Sequence, residues 1–172
     1  MATTIEEAAV KIPARPSMFN AGKYSDLKIE CNGWTFPVHR SVICAQSKVL
    51  ERMVEGGFKE AATGVIDFPD DEPQSVFNML KFLYTYNYDD CRDDGPNDAA
   101  SNSTDNSTSN VSLIEPFSAL VTNVKAYVIA EKNDIPAMKK LAKKKYEEIV
   151  PDGWNSVSFV ESLDYILAMV PN

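Results

Sequence analysis

The fold is decided by residues 24–60, which read YSDLKIECNGWTFPVHRSVICAQSKVLERMVEGGFKE. Apolar and polar residues alternate on both sides of Asn32-Gly33, which predicts a β-hairpin with a two-residue turn. The spacing of apolar residues then lengthens to about 3.6 over residues 42–54, which predicts one or two short helices. A Gly-Gly pair follows and ends them.

A third strand and a longer helix are predicted downstream of this stretch. Residues 65–68, VIDF, form the strand, and Pro69 ends it. Asp71 is predicted to be the N-cap of the helix, with Gln74 three residues later in a capping-box arrangement. Apolar residues cover most of the helix circumference over 76–84, which predicts a central, buried helix.

The composition changes abruptly from Asp89 to about residue 113, where Asp, Ser and Asn dominate and large apolar residues are almost absent. Such a segment cannot bury enough surface to offset the entropy of ordering it. We therefore expect a mobile insertion inside one domain.

Three helical patterns follow the insertion. The second is predicted to be capped by Asn133-Asp134, with Pro136 in its opening turn. The third is predicted to begin near Ser156 and to direct its large apolar residues inward. These residues are Phe159, Val160, Leu163, Ile166 and Leu167. The lack of a C-cap signal after Val170 predicts that the chain is a piece of a longer protein.

Composition limits the function. With 172 residues, 44% of them hydrophobic, the chain can form one globular domain with a sizeable core. A formal charge of −8 disfavours nucleic acid and anionic membranes as partners. Three cysteines without a CxxC unit indicate neither a disulfide framework nor a zinc site. We expect no cofactor, no membrane span or secretory signal, and a cytoplasmic or nuclear location.

Several short motifs, in this order and spacing, resemble a BTB/POZ domain. They are Ser25-Asp26, Phe36-Pro37-Val38-His39-Arg40, Ser47, Gly57-Phe58-Lys59-Glu60 and Phe82-Leu83-Tyr84-Thr85. The resemblance implies an α+β fold, in which a small mixed sheet of three or more strands is capped by about six helices. It also implies a non-enzymatic protein-interaction module.

The domain organisation follows from the resemblance and the composition. The BTB/POZ domain is predicted at residues 24–150, interrupted by the insertion at about 89–113. A loosely ordered leader is predicted at 1–23. A C-terminal helix in 151–172 is predicted to pack on the domain or to follow it.

One motif carries a specific functional implication. BTB domains that recruit a cullin scaffold have a hydrophobic residue, any residue and then an acid after the glycine exit, and Phe58, Lys59 and Glu60 match this pattern. An apolar side chain seated in a partner's pocket, with a carboxylate beside it, would fix such a contact. The resemblance thus implies a substrate adaptor for a cullin-type ubiquitin ligase, with an unknown substrate protein.

Self-association is the alternative function, as a BTB scaffold or transcription-regulatory protein without cullin binding. In BTB repressors, residues equivalent to Asp26 and Arg40 form a partly buried charged pair near the dimer interface. For this chain, a structural ion pair with no role in a partner contact is an equally open interpretation. The apolar candidates for a homodimer contact are Met18, Phe19, Tyr24 and Leu27. They make a thin interface against the usual ~800 Å² per partner, so a monomer also remains open.

Three competing interpretations are weaker. His39, the only histidine, lies five residues before Cys44, and an imidazole-thiol pair could support nucleophilic catalysis, but no orienting group accompanies it. The acidic segment imitates an EF-hand at Asp90 but has Arg92 and Ser101 at ligand positions. A lysine-rich face on the second C-terminal helix lacks aromatic residues and is predicted to be solvated. Its members are Lys139, Lys140, Lys143, Lys144 and Lys145.

Overall fold

A mixed three-stranded sheet and seven helices make up the part of the chain that the computed structural model describes, residue 19 with residues 21–57, 59–90 and 118–169. The strands are β1 (Leu27–Cys31), β2 (Trp34–Val38) and β3 (Val65–Asp67). The first four helices are α1 (Arg40–Ile43), α2 (Lys48–Glu55), α3 (Lys59–Thr63) and α4 (Pro73–Thr85). The last three are α5 (Ser118–Lys132), α6 (Pro136–Gly153) and α7 (Val157–Met169). The predicted α+β class and small mixed sheet are confirmed.

The hairpin forms as predicted. Asn32 and Gly33 have φ values of 46° and 85°, which is the left-handed backbone that a two-residue hairpin turn requires. Cys31 therefore pairs with Trp34, and β1 runs antiparallel to β2. On its other edge β1 pairs in parallel with β3, so that the strand order is β2-β1-β3.

The two faces of the sheet differ in burial. Leu27, Ile29 and Cys31 of β1 are at most 3% exposed, as alternation along a strand predicts. On the same face of β2, Val38 is buried but Trp34 is 63% exposed. Within the described part of the chain, the core-facing side of the sheet is therefore uncovered at its hairpin end.

The helices of the N-terminal part begin and end at recognisable residues. The hydroxyl of Ser47 accepts the N–H of Leu50 at 3.0 Å and caps α2, which ends at Gly56. The prediction of Asp71 as the N-cap of α4 is wrong, because the N-cap is Glu72. Pro73 occupies the first helical position and holds the residue before it in an extended conformation, with φ −78° and ψ 131°.

The chain divides into two compact units, residues 1–88 and 89–172. In the second unit the N-cap of α6 is Ile135, not Asn133-Asp134 as predicted, because Pro136 again fixes the start of the helix. The amide of Asn133 instead donates to the carbonyl of Ile129 at 2.9 Å, and Asp134 takes a left-handed φ of 49°.

The predicted orientation of α7 is wrong for most of its apolar residues. Val160, Leu163, Ile166 and Leu167 are between 39% and 68% exposed, and only Phe159 is half-buried. The buried positions are Ser158 and Ser162, and the hydroxyl of Ser162 hydrogen-bonds that of Tyr146 at 2.8 Å. The small polar face of α7 therefore packs inward, Val160 and Leu167 face mainly solvent, and Ile166 lines a cavity with residues of α5 and α6. Among the described helices, none is long and apolar enough to cross a membrane.

Candidate functional site

The segment that leaves α2 forms an exposed surface turn. Gly56 is the C-cap of α2, and Gly57 has a left-handed φ of 72°, which redirects the chain into α3. None of the five residues of α3 is buried. Three of its residues, Lys59, Ala62 and Thr63, are exposed, so this short helix presents side chains that a partner can reach.

Two of the three predicted cullin-contact residues open this helix. The Lys59 side chain is exposed and Glu60 is half-buried. Their carbonyl oxygens accept hydrogen bonds from the Thr63 hydroxyl at 3.0 Å and the Gly64 N–H at 2.9 Å. The third candidate, Phe58, lies outside the described residues. The structure thus brings Lys59 and Glu60 together on the surface.

Asp26 and Arg40 are neighbours, but they meet through the backbone. The Asp26 carboxylate accepts the backbone N–H of Arg40 at 2.8 Å, and the Arg40 guanidinium donates to the Asp26 carbonyl oxygen at 3.4 Å. Each of the two bonds involves a backbone atom, so this contact ties the start of α1 to the residue before β1. A role at a dimer interface stays a prediction.

The predicted dimer residues differ widely in exposure. Tyr24 is 79% exposed, whereas Leu27 is 3% exposed and belongs to the core, so Leu27 has almost no surface to offer. Phe19 is half-buried, and its ring lies 5.5 Å from that of Phe77 and 5.1 Å from that of Tyr84. Met18 lies outside the described residues. Tyr24 is therefore the most accessible of the described candidates.

His39 is a buried structural residue. Its backbone N–H donates to the Tyr84 hydroxyl at 2.9 Å, its Nδ1 lies 2.7 Å from the same oxygen, and its Nε2 lies 2.8 Å from the Lys23 carbonyl. Because a carbonyl oxygen can only accept, Nε2 carries the proton in the neutral ring, and Nδ1 accepts the hydrogen of Tyr84. The Tyr84 hydroxyl therefore accepts one hydrogen bond and donates another, and both ring nitrogens of His39 have a hydrogen-bond partner.

The thiol of Cys44 lacks the features of a nucleophile. Burial raises its pKa, and the carboxylate of Glu55 raises it further. A catalytic cysteine needs a lowered pKa and a base within reach, but the His39 ring is already engaged by Tyr84 and Lys23. Among the described residues, no three His, Cys, Asp or Glu side chains cluster as a metal site would require.

Comparison with known families decides the identity of the fold. The family model for the BTB/POZ domain matches residues 16–100. The chain contains a BTB/POZ domain. This family is generally a non-enzymatic protein-interaction domain, so this domain is a protein-interaction module.

Individual relatives agree with the BTB fold. A kelch repeat protein of Myxoma virus, M-T8, is 34% identical over 68 residues, which is 40% of this chain and 13% of the viral protein. The BTB domain of zebrafish PATZ1 superposes with a TM-score of 0.51 at 12% identity, covering 77% of this chain and 83% of that one. The BTB domain of human gigaxonin has a TM-score of 0.50 at 10% identity, covering 84% and 95%. At these identities the structural matches show the fold alone.

The second unit, residues 89–172, contains a polar cluster of Asp90, Asn123 and Lys145 that the sequence did not predict. Composition places Asp90 in the insertion, but its carboxylate is buried and accepts from Asn123 at 3.0 Å and from Lys145 at 3.3 Å. Lys145 is only 13% exposed, so its assignment to a solvated face is wrong. It lies three residues after Ala142 and four before Ile149, both buried, and this spacing was the signal that could have placed it inward.

Proposed function

We propose that this BTB domain acts as a substrate adaptor for a cullin-type ubiquitin ligase, and that Phe58, Lys59 and Glu60 contact the scaffold. The observation that carries the proposal is α3, a surface helix without buried residues that begins at the matching motif. The ligase would be met in the cytoplasm or nucleus, and the substrate protein would be held elsewhere in the assembly.

The geometry of the motif suits a protein contact. Glu60 is half-buried and its backbone carbonyl accepts the Gly64 N–H, so the backbone that presents its carboxylate is ordered before binding. Lys59 is exposed and would lie at the rim, where a single charge contributes little. An aromatic side chain in a partner's pocket typically contributes most of the affinity, which is the role proposed for Phe58.

The viral relative supports an adaptor role indirectly. It is named as a kelch repeat protein, and the match covers 13% of its length, so its matched segment accompanies a much longer remainder. An adaptor needs a second region to hold its substrate. That the present chain also works beside such a region is part of the proposal.

A retention assay tests the scaffold contact. The chain is immobilised and a purified cullin N-terminal domain is passed over it, with Phe58→Ala and Glu60→Lys compared to the parent. Glu30→Lys is the matched control, because Glu30 is an exposed acid on β1 and the substitution changes the charge by the same amount. We expect the parent and the control to retain the cullin domain and both motif variants to lose at least about 2 kcal/mol, roughly 30-fold in affinity.

Two results contradict the adaptor proposal. One is a parent chain that retains no cullin domain, and the other is equal retention by the parent and both motif variants.

Light scattering on the same preparation tests the self-association alternative. A dimer that Tyr24→Ser converts to monomer would support a contact through the leader side of the domain.

A further inference from the structure

An open apolar groove lies between the hairpin end of β2 and the first turns of α4. Two adjoining cavities of about 480 and 400 Å³ share Phe36 and Phe77. The described residues that complete their lining are Phe19, Trp34, Pro37, Glu72, Pro73 and Gln74. Because Trp34 and Phe36 project from the core-facing side of the sheet, the groove exposes apolar surface that a covered sheet would bury.

The polar rim of this groove presents hydrogen-bond acceptors and negative charge. Glu72 supplies an exposed carboxylate, one oxygen of which accepts the Ser75 hydroxyl at 3.4 Å, and Asp70 lies exposed in the adjoining turn. The amide nitrogen of Gln74 donates to Asn78 at 3.2 Å, which leaves its carbonyl oxygen for a partner. None of the described lining residues is basic. A complementary ligand must therefore bring donors and positive charge together with apolar side chains.

Arginine fits this chemistry better than lysine. Its planar guanidinium can stack on an aromatic face while it donates to a nearby carboxylate, and the indole of Trp34 is 63% exposed in the cavity that Glu72 also lines. A second copy of the chain is disfavoured as the occupant, since it would bring the same acidic rim against this one.

The edge of β2 suits an extended ligand. In the described sheet β2 pairs only with β1, and Cys31 pairs with Trp34 next to the turn. In such a hairpin alternate residues exchange both bonds with β1, so the N–H and C=O of Thr35 point outward, whereas Pro37 offers only its carbonyl. An extended peptide can add to such an edge and place alternate side chains in the groove.

We propose that this groove binds an extended peptide segment of a partner protein in which arginine alternates with apolar residues. The groove shares no residue with the Phe58 to Glu60 motif. The proposal therefore goes beyond the adaptor function and does not depend on it.

Fluorescence of Trp34 tests the proposal directly. The chain has two tryptophans, so Trp154→Phe in the full chain leaves Trp34 as the only indole. Three blocked hexapeptides serve as probes: alternating Leu and Arg, alternating Leu and Glu, and alternating Ser and Arg. We expect a saturable change in Trp34 emission with the Leu/Arg peptide, at least about tenfold weaker binding of the Ser/Arg peptide and no saturable change with Leu/Glu.

Charge reversal at the rim separates a specific site from general attraction to an acidic protein. Glu72→Lys should weaken the Leu/Arg peptide about threefold to fivefold and should allow the Leu/Glu peptide to bind. Glu30→Lys makes the same change in net charge on the opposite face of the sheet and should leave both affinities unchanged. The proposal is overturned by a parent that shows no saturable response to the Leu/Arg peptide, or by equal effects of the two reversals.

Discussion

Replacing Tyr84 by phenylalanine removes the oxygen atom that satisfies two groups of His39. The hydroxyl accepts the His39 backbone N–H at 2.9 Å and lies 2.7 Å from Nδ1, and His39 is only 5% exposed. The variant leaves both groups buried without this partner. Phenylalanine keeps the ring and its packing against Phe19, so the change isolates the hydrogen bonds.

The expected loss in the free energy of unfolding follows from the number of unsatisfied groups. Each buried donor or acceptor that loses its partner costs about 1–3 kcal/mol, so the loss of two partners in Tyr84→Phe should cost about 2–6 kcal/mol. A domain of this size is stabilised by only about 5–15 kcal/mol in total. A loss of about 2 kcal/mol raises the ratio of unfolded to folded protein roughly 30-fold, which urea denaturation measures readily.

The assay is equilibrium urea denaturation at pH 7, followed by circular dichroism, with Tyr24→Phe as the matched control. The Tyr24 residue is 79% exposed, so loss of its hydroxyl should change stability by less than about 0.5 kcal/mol. The reasoning is refuted if Tyr84→Phe costs less than about 1 kcal/mol, because the hydroxyl would then not be the partner on which His39 depends.

Alkaline pH gives a second, independent readout of the same residue. Burial raises the pKa of Tyr84 above its ordinary value of 10.0. The folded state then holds the phenolic proton more tightly than the unfolded state. The stability contributed by neutral Tyr84 is fully present below the unfolded pKa and is lost as pH rises through the folded pKa. The difference between the parent and Tyr84→Phe should therefore shrink above about pH 10.

Three further predictions concern other contacts. The Asp26 carboxylate accepts the Arg40 N–H, and an asparagine oxygen can do the same. In urea denaturation Asp26→Asn should therefore lower the free energy of unfolding clearly less than Asp26→Ala, which should lower it by roughly 1 kcal/mol. Equal losses would show that the charge itself matters. Lys145→Met should lower the free energy of unfolding by about 3–5 kcal/mol, because it removes a cation from buried Asp90. Adding Asp90→Asn should restore most of this loss, and no recovery in the double variant would contradict the pairing. Because its pKa is raised, Cys44 should react with iodoacetamide at pH 7.5 more slowly than free cysteine does. Mass spectrometry of the labelled peptide measures this rate, and faster labelling would reopen a catalytic role.

The features that the sequence predicted correctly are those with local causes. Asn32 and Gly33 adopt left-handed backbone angles that most residues avoid, so the turn and the register of the hairpin follow from two positions. Ser47 was noted from the sequence only as part of the BTB/POZ resemblance, yet its cap of α2 also has a local cause, a hydroxyl and an N–H three residues apart. The cap of α4 was mistaken by one residue because Pro73 outweighed the side-chain preference of Asp71.

The features that the sequence could not predict depend on tertiary contacts. The spacing of the apolar residues on α7 predicted that their face would be buried. In the structure the hydroxyl pair of Tyr146 and Ser162 lies inside instead, and Leu167 is 68% exposed. Likewise, the contact of Asp26 uses the backbone of Arg40, and a backbone donor leaves no trace in the pattern of side chains.

The two proposed surfaces can be occupied together. Helix α3 leads into β3, whereas the groove lies along β2, and β1 separates these two strands in the sheet. Neighbouring strands lie about 4.8 Å apart, so about 10 Å separates β2 from β3, and the two sites share no side chain. One BTB domain could therefore hold a scaffold at α3 and a basic peptide at the β2 edge, and a Leu/Arg peptide should not displace a bound cullin domain. Displacement would mean instead that the two contacts overlap and that the domain must choose between partners.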